Sequence, residues 1–174
     1  QIAVNPKQHV TIAENAGADY DAQIVSSTNA VSYLRQMYRV APIRLRTLRN
    51  KFYLSTTGIY DAYVESLQNA CCLETTYQNL INGMTTVSFN GIPIIAMTIW
   101  DEIIMSYFDN GTKYINPNRV VLTAPEVLAV GVDDPSAFED VESWYNKDTR
   151  EVKIQAMGKA DAKLANPALF VYAV

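Results

Sequence analysis

Apolar residues recur along this chain with two different periods, and the places where the period changes mark its elements. Ala30, Val31, Leu34, Met37 and Tyr38 fall at helical spacing behind Ser26, Ser27 and Thr28, all good N-cap residues, which predicts a helix over residues 28–39 that Pro42 ends. A short helix over 43–49 with Leu45 and Leu48 inward is expected next, then a strand over 51–55. Ser55, Thr56 and Thr57 can cap a helix that carries Ile59, Tyr60, Tyr63, Val64 and Leu67 on one face and ends near residue 69. Residues 75–81 read as another short helix, stopped by Asn82-Gly83, where glycine supplies a left-handed residue.

The sharpest local signal is Asn90-Gly91. A type I′ turn needs positive φ at both central residues, which glycine takes freely and asparagine tolerates, so residues 86–89 and 92–96 read as a tight hairpin. Pro93 has no N–H for a ladder, which puts its strand at an edge or puts Pro93 near the strand start. A helix over 100–108 follows, with Ile99, Ile103, Ile104 and Tyr107 apolar and Asp109-Asn110-Gly111 closing it. Residues 119–123 form a strand of the buried type, and 131–149 are loop-like and acidic. From 150 to 157 the pattern alternates, with Val152, Ile154 and Ala156 inward against Lys153 and Gln155, and 169–174 closes the chain as a strand. Residues 1–25 are polar and alanine-rich, an arm or edge segment in which Val10-Thr11-Ile12-Ala13 can pair as an edge strand. The expected division is therefore 1–25 and a domain over 26–174. Strands and helices mix without βαβ regularity, so the fold class is α+β.

Composition narrows the function. At 174 residues and 49% apolar the chain is ordinary globular material, and 14 basic against 18 acidic residues argue against non-specific nucleic-acid binding by the chain as a whole. No apolar run approaches the length of a membrane span, 92–97 included, and no signal peptide opens the chain. Gln1 is not an initiator methionine, which suggests a processed product or a piece of a longer chain. Cys71 and Cys72 are adjacent and read as buried thiols in a reducing compartment rather than a strained vicinal disulfide. Asn110-Gly111-Thr112 reads as a turn.

Catalytic constellations are missing from the pattern. His9 is the single histidine and sits in the polar N-terminal stretch, where neither a triad nor a histidine metal site is expected. Asp101-Glu102 and Asp133-Asp134 are neighbours in sequence, point apart on a helix, and read as solvated faces. No phosphate loop, nucleophile elbow or Cys-x-x-Cys occurs, so no enzyme, cofactor or metal is expected. Eleven tyrosines are more than a core of this size absorbs, and tyrosine is enriched where surfaces associate.

Charge is segregated. Arg35, Arg39, Arg44, Arg46, Arg49 and Lys51 fall between residues 22 and 60 with no acid, while Glu126, Asp133, Asp134, Glu139, Asp140 and Glu142 fall between 120 and 146 with no base. Pairing within the chain, two solvated faces, phosphate contact by the arginines, and contact between the basic face of one copy and the acidic stretch of the next are all compatible with this pattern.

The order of segments resembles a known family. LRNKFYLSTTGIYDAYVESL (48–67), SFNGIPIIAMTIWDEII (88–104), NPNRVVLTAPEVLAVGVDD (116–134) and EVKIQAMGKADAKLANPALFVYAV (151–174) succeed one another as in the C-terminal portion of tailed-phage major capsid proteins of the Hong Kong 97 type, a match over about residues 26–174. The resemblance implies an axial domain with part of a peripheral domain, in a head subunit that assembles as hexamers and pentamers into an icosahedral shell around DNA. Its partners would be itself, packaged DNA and other virion proteins, with no membrane. Its place would be the virion, and the bacterial cytoplasm during assembly. The chain departs from the family in leaving little room for an N-terminal arm, extended loop and long spine helix ahead of Ser26. Encapsulin-type nanocompartment subunits are the near alternative, and a nucleic-acid-binding module using Arg35 to Lys51 is the alternative from another class.

Overall fold

The computed structural model describes residues 8–17, 19–69, 78–79, 85–132, 141–146, 150–156 and 160–174. They belong to two compact units, one of residues 1–127 with 166–174 and one of residues 128–165. The stretch read as an arm or edge falls in the first unit, where its described part supplies the edge strand β1 (His9–Val10) and buries Val10, Ile12 and Ala22.

The first unit is built on a seven-stranded mixed sheet in the order β1, β11 (Val171–Ala173), β6 (Val120–Thr123), β2 (Phe52–Ser55), β5 (Ile92–Ala96), β4 (Thr85–Phe89), β3 (Gln78–Asn79). β1 runs parallel to β11 and β2 parallel to β5, and the other neighbours are antiparallel. Register places Val171, Leu122, Tyr53, Ile94 and Val87 side by side across five strands. All five are buried, and this row is the centre of the core. The next row, Tyr172, Val121, Leu54 and Ile95, points to the other face of the pleat and is only half-buried.

The buried face lies under two helices, α1 (Ala30–Val40) and α3 (Thr57–Asn69). Tyr53 donates its hydroxyl to the Leu34 carbonyl of α1 at 3.3 Å, and Tyr63 of α3 donates to the Ser88 carbonyl at 2.9 Å. Phe89 meets both rings edge-on, with centroids 6.3 Å from Tyr53 and 6.1 Å from Tyr63. Ala30, Leu34 and Met37 of α1 are buried as the helical spacing predicts, and the helix ends at Ala41 before Pro42. Its start differs by two residues. Asn29 turns its side chain back, accepting from the Ser26 N–H at 2.8 Å and donating to the Ile24 carbonyl at 2.9 Å, so the Ser-Ser-Thr run is spent on a turn. The short α2 (Ile43–Thr47) buries Leu45.

The hairpin is present as read, with φ of 51° at Asn90 and 73° at Gly91. Its strand β5 is interior, however, not an edge. Pro93 is tolerated because it is the second residue of β5 and opposes Ser88 next to the closing Phe89–Ile92 pair, so its nitrogen faces β2, whose ladder begins only at Ile94. After β5 comes α4 (Thr98–Tyr107), and Asn110 closes the following turn by accepting from Thr112 and Lys113 N–H groups at 3.0 and 2.9 Å.

Three expectations fail. Gln78 and Asn79, read as helical, pair with Thr86 and Thr85 as β3, while the rest of 75–81 lies outside the described residues. Within 131–149, read as loop, Val141–Asn146 is a strand, β8, paired with β9 (Glu151–Ala156). Val152, read as inward, is 67% exposed, because this two-stranded ribbon leaves it no core to enter. The second unit also holds β7 (Leu128–Val132) against β10 (Ala160–Leu164).

Candidate assembly surfaces

Of the six basic residues between 22 and 60, two are committed locally. Arg46 donates from Nε to the Ala41 carbonyl at 2.8 Å and from Nη2 to the Arg39 carbonyl, with its guanidinium 5.4 Å from the Tyr38 ring centroid. Lys51 donates to the Leu48 carbonyl at 2.8 Å. Arg46 thus closes the α1–α2 corner and Lys51 the turn that follows α2. Arg35, Arg39, Arg44 and Arg49 are exposed, and none forms an ion pair with a described residue. Arg35 and Arg39, one turn apart on α1, together with Arg44 on α2 and Arg49 beyond it, are exposed guanidinium groups suited to carboxylates or phosphates. Of the acidic residues set against them in sequence, Asp133, Asp134, Glu139 and Asp140 lie outside the described residues, Glu126 is exposed in a short 3-10 turn, and Glu142 belongs to β8.

Asp101 and Glu102 part company. Glu102 is exposed, but Asp101, read as solvated, is buried. Its Oδ2 accepts from the Thr57 N–H at 3.1 Å, capping α3 from another helix, and its Oδ1 accepts from the Tyr20 hydroxyl at 3.2 Å. Burial, followed by the charge of Asp101, pushes the Tyr20 phenol up to about 12. A raised phenol means the folded state favours the neutral form. That contribution is present below pH 10, the ordinary tyrosine value, and is lost as pH rises through about 12. Phenolate absorbance, compared with a Tyr20→Phe variant, should show Tyr20 ionising after the exposed tyrosines, and Asp101→Asn should bring it part of the way back.

Beside this node the segment before β6 is held from several sides. The Asn118 N–H donates to Gln23 Oε1 at 2.6 Å, and both backbone groups of Arg119 are held by Thr56, whose N–H donates to the Arg119 carbonyl at 3.0 Å and whose Oγ1 accepts from the Arg119 N–H at 3.0 Å. The Arg119 guanidinium lies 4.2 Å from the Phe108 ring centroid and donates to the carbonyls of Asn116 and Ile115 at 2.8 and 3.0 Å. Burial lowers its pKa, and no described carboxylate pairs with it.

Arg119 also stands in the wall of a groove of about 510 Å³ on the half-buried face of the sheet, lined chiefly by Trp100, Ile103, Ile104, Val121, Phe170 and Tyr172. The outer side of α4 continues it as an apolar surface, with Ile99 56% and Tyr107 81% exposed. Sequence periodicity could not reveal this groove, because its lining comes from α4, β6 and β11, which lie apart in sequence. His9 does not line the groove itself but stacks at 4.7 Å on the ring of Tyr172, which does, and among the described residues no group of three His, Cys, Asp or Glu side chains is arranged to hold a metal. Cys71 and Cys72 lie outside the described residues. No helix among the described residues is long and apolar enough to cross a membrane.

No family model and no curated protein sequence matches this chain. Solved structures do match. A chain of the holo-SrpI encapsulin complex from Synechococcus elongatus PCC 7942 is similar at a TM-score of 0.55 and 13% identity, over 98% of this chain and 54% of that one. A chain of the satellite phage P4 procapsid that includes the size determination protein is similar at 0.53 and 9% identity, over 97% of this chain and 46% of that one. The chain thus spans about half the length of the solved chains it matches. The mixed α+β fold is that of Hong Kong 97-type capsid proteins.

Proposed function

We propose that this chain is a structural subunit of a self-assembling protein shell, of the tailed-phage or prophage head type, and that it performs no chemical step of its own. The observation that carries this reading is the extent of the likeness: almost the whole chain, not one motif, follows the fold of chains from an encapsulin complex and a procapsid. The surface supports it as well, since exposed arginines and an apolar groove are features for contact rather than for turnover. Electron microscopy of the purified assembly is the direct test, and a chain that stays monomeric at all concentrations would sink the proposal. An encapsulin-like nanocompartment is the second reading, favoured by the encapsulin likeness. The contents of purified particles separate the two, DNA for a head and a protein cargo for a nanocompartment.

The exposed arginines are the proposed polar contact, with a neighbouring subunit or with the enclosed DNA. Reversing Arg35, Arg39, Arg44 and Arg49 to glutamate should abolish or strongly weaken assembly while leaving the circular dichroism spectrum and melting temperature near those of the parent, since exposed positions without packing rarely matter to stability. Raising the salt from about 0.1 M to about 1 M, which shortens the screening length from ~10 Å to ~3 Å, should weaken assembly of the parent in the same direction. Salt-sensitive DNA binding by the isolated monomer would instead favour a nucleic-acid-binding module built on Arg35 to Lys51.

A further inference from the structure

We propose that Asn90 is a deamidation site, at which the Gly91 nitrogen attacks the Asn90 side-chain amide and converts the hairpin tip to aspartate and isoaspartate well before the Asn110-Gly111 pair reacts. The inference is independent of the shell-subunit reading.

The chemistry is intramolecular. The Gly91 backbone nitrogen loses its proton to solvent base and bonds to Asn90 Cγ, the C–N bond of the side-chain amide breaks, and ammonia leaves. Water then opens the cyclic imide at one carbonyl or the other, giving aspartate or isoaspartate. Water is the only reagent consumed. A side chain on the following residue hinders the attack, so glycine is the least obstructive neighbour. Proline has no N–H to lose, which removes Asn5, Asn116 and Asn166, each followed by proline.

Two Asn-Gly pairs are described, and their surroundings differ; Asn82-Gly83 lies outside the described residues. Asn90 and Gly91 are both exposed, and a Cβ added at Gly91 would meet nothing within 4 Å, so the attack is not crowded. The Phe89–Ile92 pair closes the turn, and among the described residues neither the Asn90 side chain nor the Gly91 N–H has a hydrogen-bond partner. At Asn110 both reacting groups are held. Asn110 Oδ1 accepts from the Thr112 N–H, the Thr112 hydroxyl and the Lys113 N–H at 3.0, 2.9 and 2.9 Å, and the Gly111 N–H donates to Asp109 Oδ1 at 2.7 Å. Turning the Asn110 amide toward Gly111 breaks the first three bonds, and the carboxylate of Asp109 opposes ionisation of the nitrogen. At Asn90 only the left-handed turn conformation, with φ of 51°, has to open, a local motion of two exposed residues at a loop tip.

The two products act differently on the fold. Isoaspartate routes the backbone through the former side chain and lengthens a two-residue loop that sets the register of β4 against β5. Phe89 and Ile92 at its base are buried, and Phe89 packs on Tyr53 and Tyr63, so the strain reaches the core. Aspartate keeps the turn, because Asp-Gly suits the same geometry.

The experiment incubates the full chain in mildly alkaline buffer, folded and in urea, and follows conversion by mass spectrometry with fragmentation that resolves Asn82, Asn90 and Asn110. In urea Asn90 and Asn110 should react at similar rates, since both precede glycine. In the folded chain Asn90 should lead Asn110 several-fold. The separated isoaspartyl form should melt below the parent, and the Asn90→Asp variant should melt with it. Equal rates at the two sites of the folded chain, Asn110 reacting first, or no conversion of folded Asn90 while the chain in urea reacts to completion would each overturn the proposal.

Discussion

Replacing Tyr53 by alanine is expected to cost about 3–5 kcal/mol, the usual range for deleting a large buried aromatic, and so to consume a large part of the ~5–15 kcal/mol that holds a typical domain. The reason is position as much as size. Tyr53 is fully buried at the middle of the five-strand row of Val171, Leu122, Ile94 and Val87, so its removal opens a cavity bounded by strands that cannot close in without breaking register. It also strips Phe89 of one of its two edge-on aromatic neighbours. Burial pushes its phenol far above the ordinary tyrosine range, so the hydroxyl remains a neutral donor to the Leu34 carbonyl. That hydrogen bond is long at 3.3 Å, so Tyr53→Phe should cost no more than about 0.5–1.5 kcal/mol. Urea unfolding of the two variants gives the comparison, with the midpoint falling and the slope unchanged. A loss below about 1 kcal/mol for Tyr53→Ala would mean that the row is not the core.

What could be read from sequence and what could not follows from where each signal resides. The helices α1 and α3 and the Asn90-Gly91 hairpin announce themselves because each buries one face, and burial writes a period into the sequence, whereas of the apolar stripe that marked α4 only Ile104 is buried. Of the ribbon, β9 was legible from the alternation over 150–157, whereas β8 was read as acidic loop, and the inward assignment of Val152 fails because it is exposed, as are Ser143, Trp144 and Tyr145 on the partner strand. Pro93 was legible as a residue without a ladder N–H, yet the choice between edge and strand start depended on which strand lay beyond it, and β2 is distant in sequence. Asp101 shows the same limit for polar groups. Beside Glu102 it looks like half of a solvated pair, and only the approach of Thr57, 44 residues earlier, turns it into a helix cap. The arginine cluster was visible as a charge run, but the commitment of Arg46 and Lys51 to nearby carbonyls needed the turns on either side of α2. The groove was the least accessible, since tertiary assembly alone brings α4, β6 and β11 to one place.

The second large effect runs against helix propensity. Gly58 is the second residue of α3, and in an isolated helix glycine is worse than alanine by ~0.8–1.0 kcal/mol, so Gly58→Ala ought to stabilise. Here it should destabilise by about 1–3 kcal/mol, because an added Cβ would collide with Asn118 Oδ1. Asn118 cannot move aside cheaply. Its backbone is pinned by Gln23 Oε1 and by the ties of the next residue to Thr56, and its side chain is buried with Nδ2 donating to the Tyr20 carbonyl at 3.5 Å, so turning Oδ1 away costs that contact and a shift of the buried neighbours. The cause can be isolated with a double-mutant cycle. Asn118→Ala removes the atom that Cβ would strike while sparing the Gln23 and Thr56 contacts, which use backbone. In that background Gly58→Ala should lose its penalty and regain some of the helix preference, giving a coupling of about 1–3 kcal/mol between the two sites. Equal costs of Gly58→Ala in both backgrounds would place the penalty outside this contact.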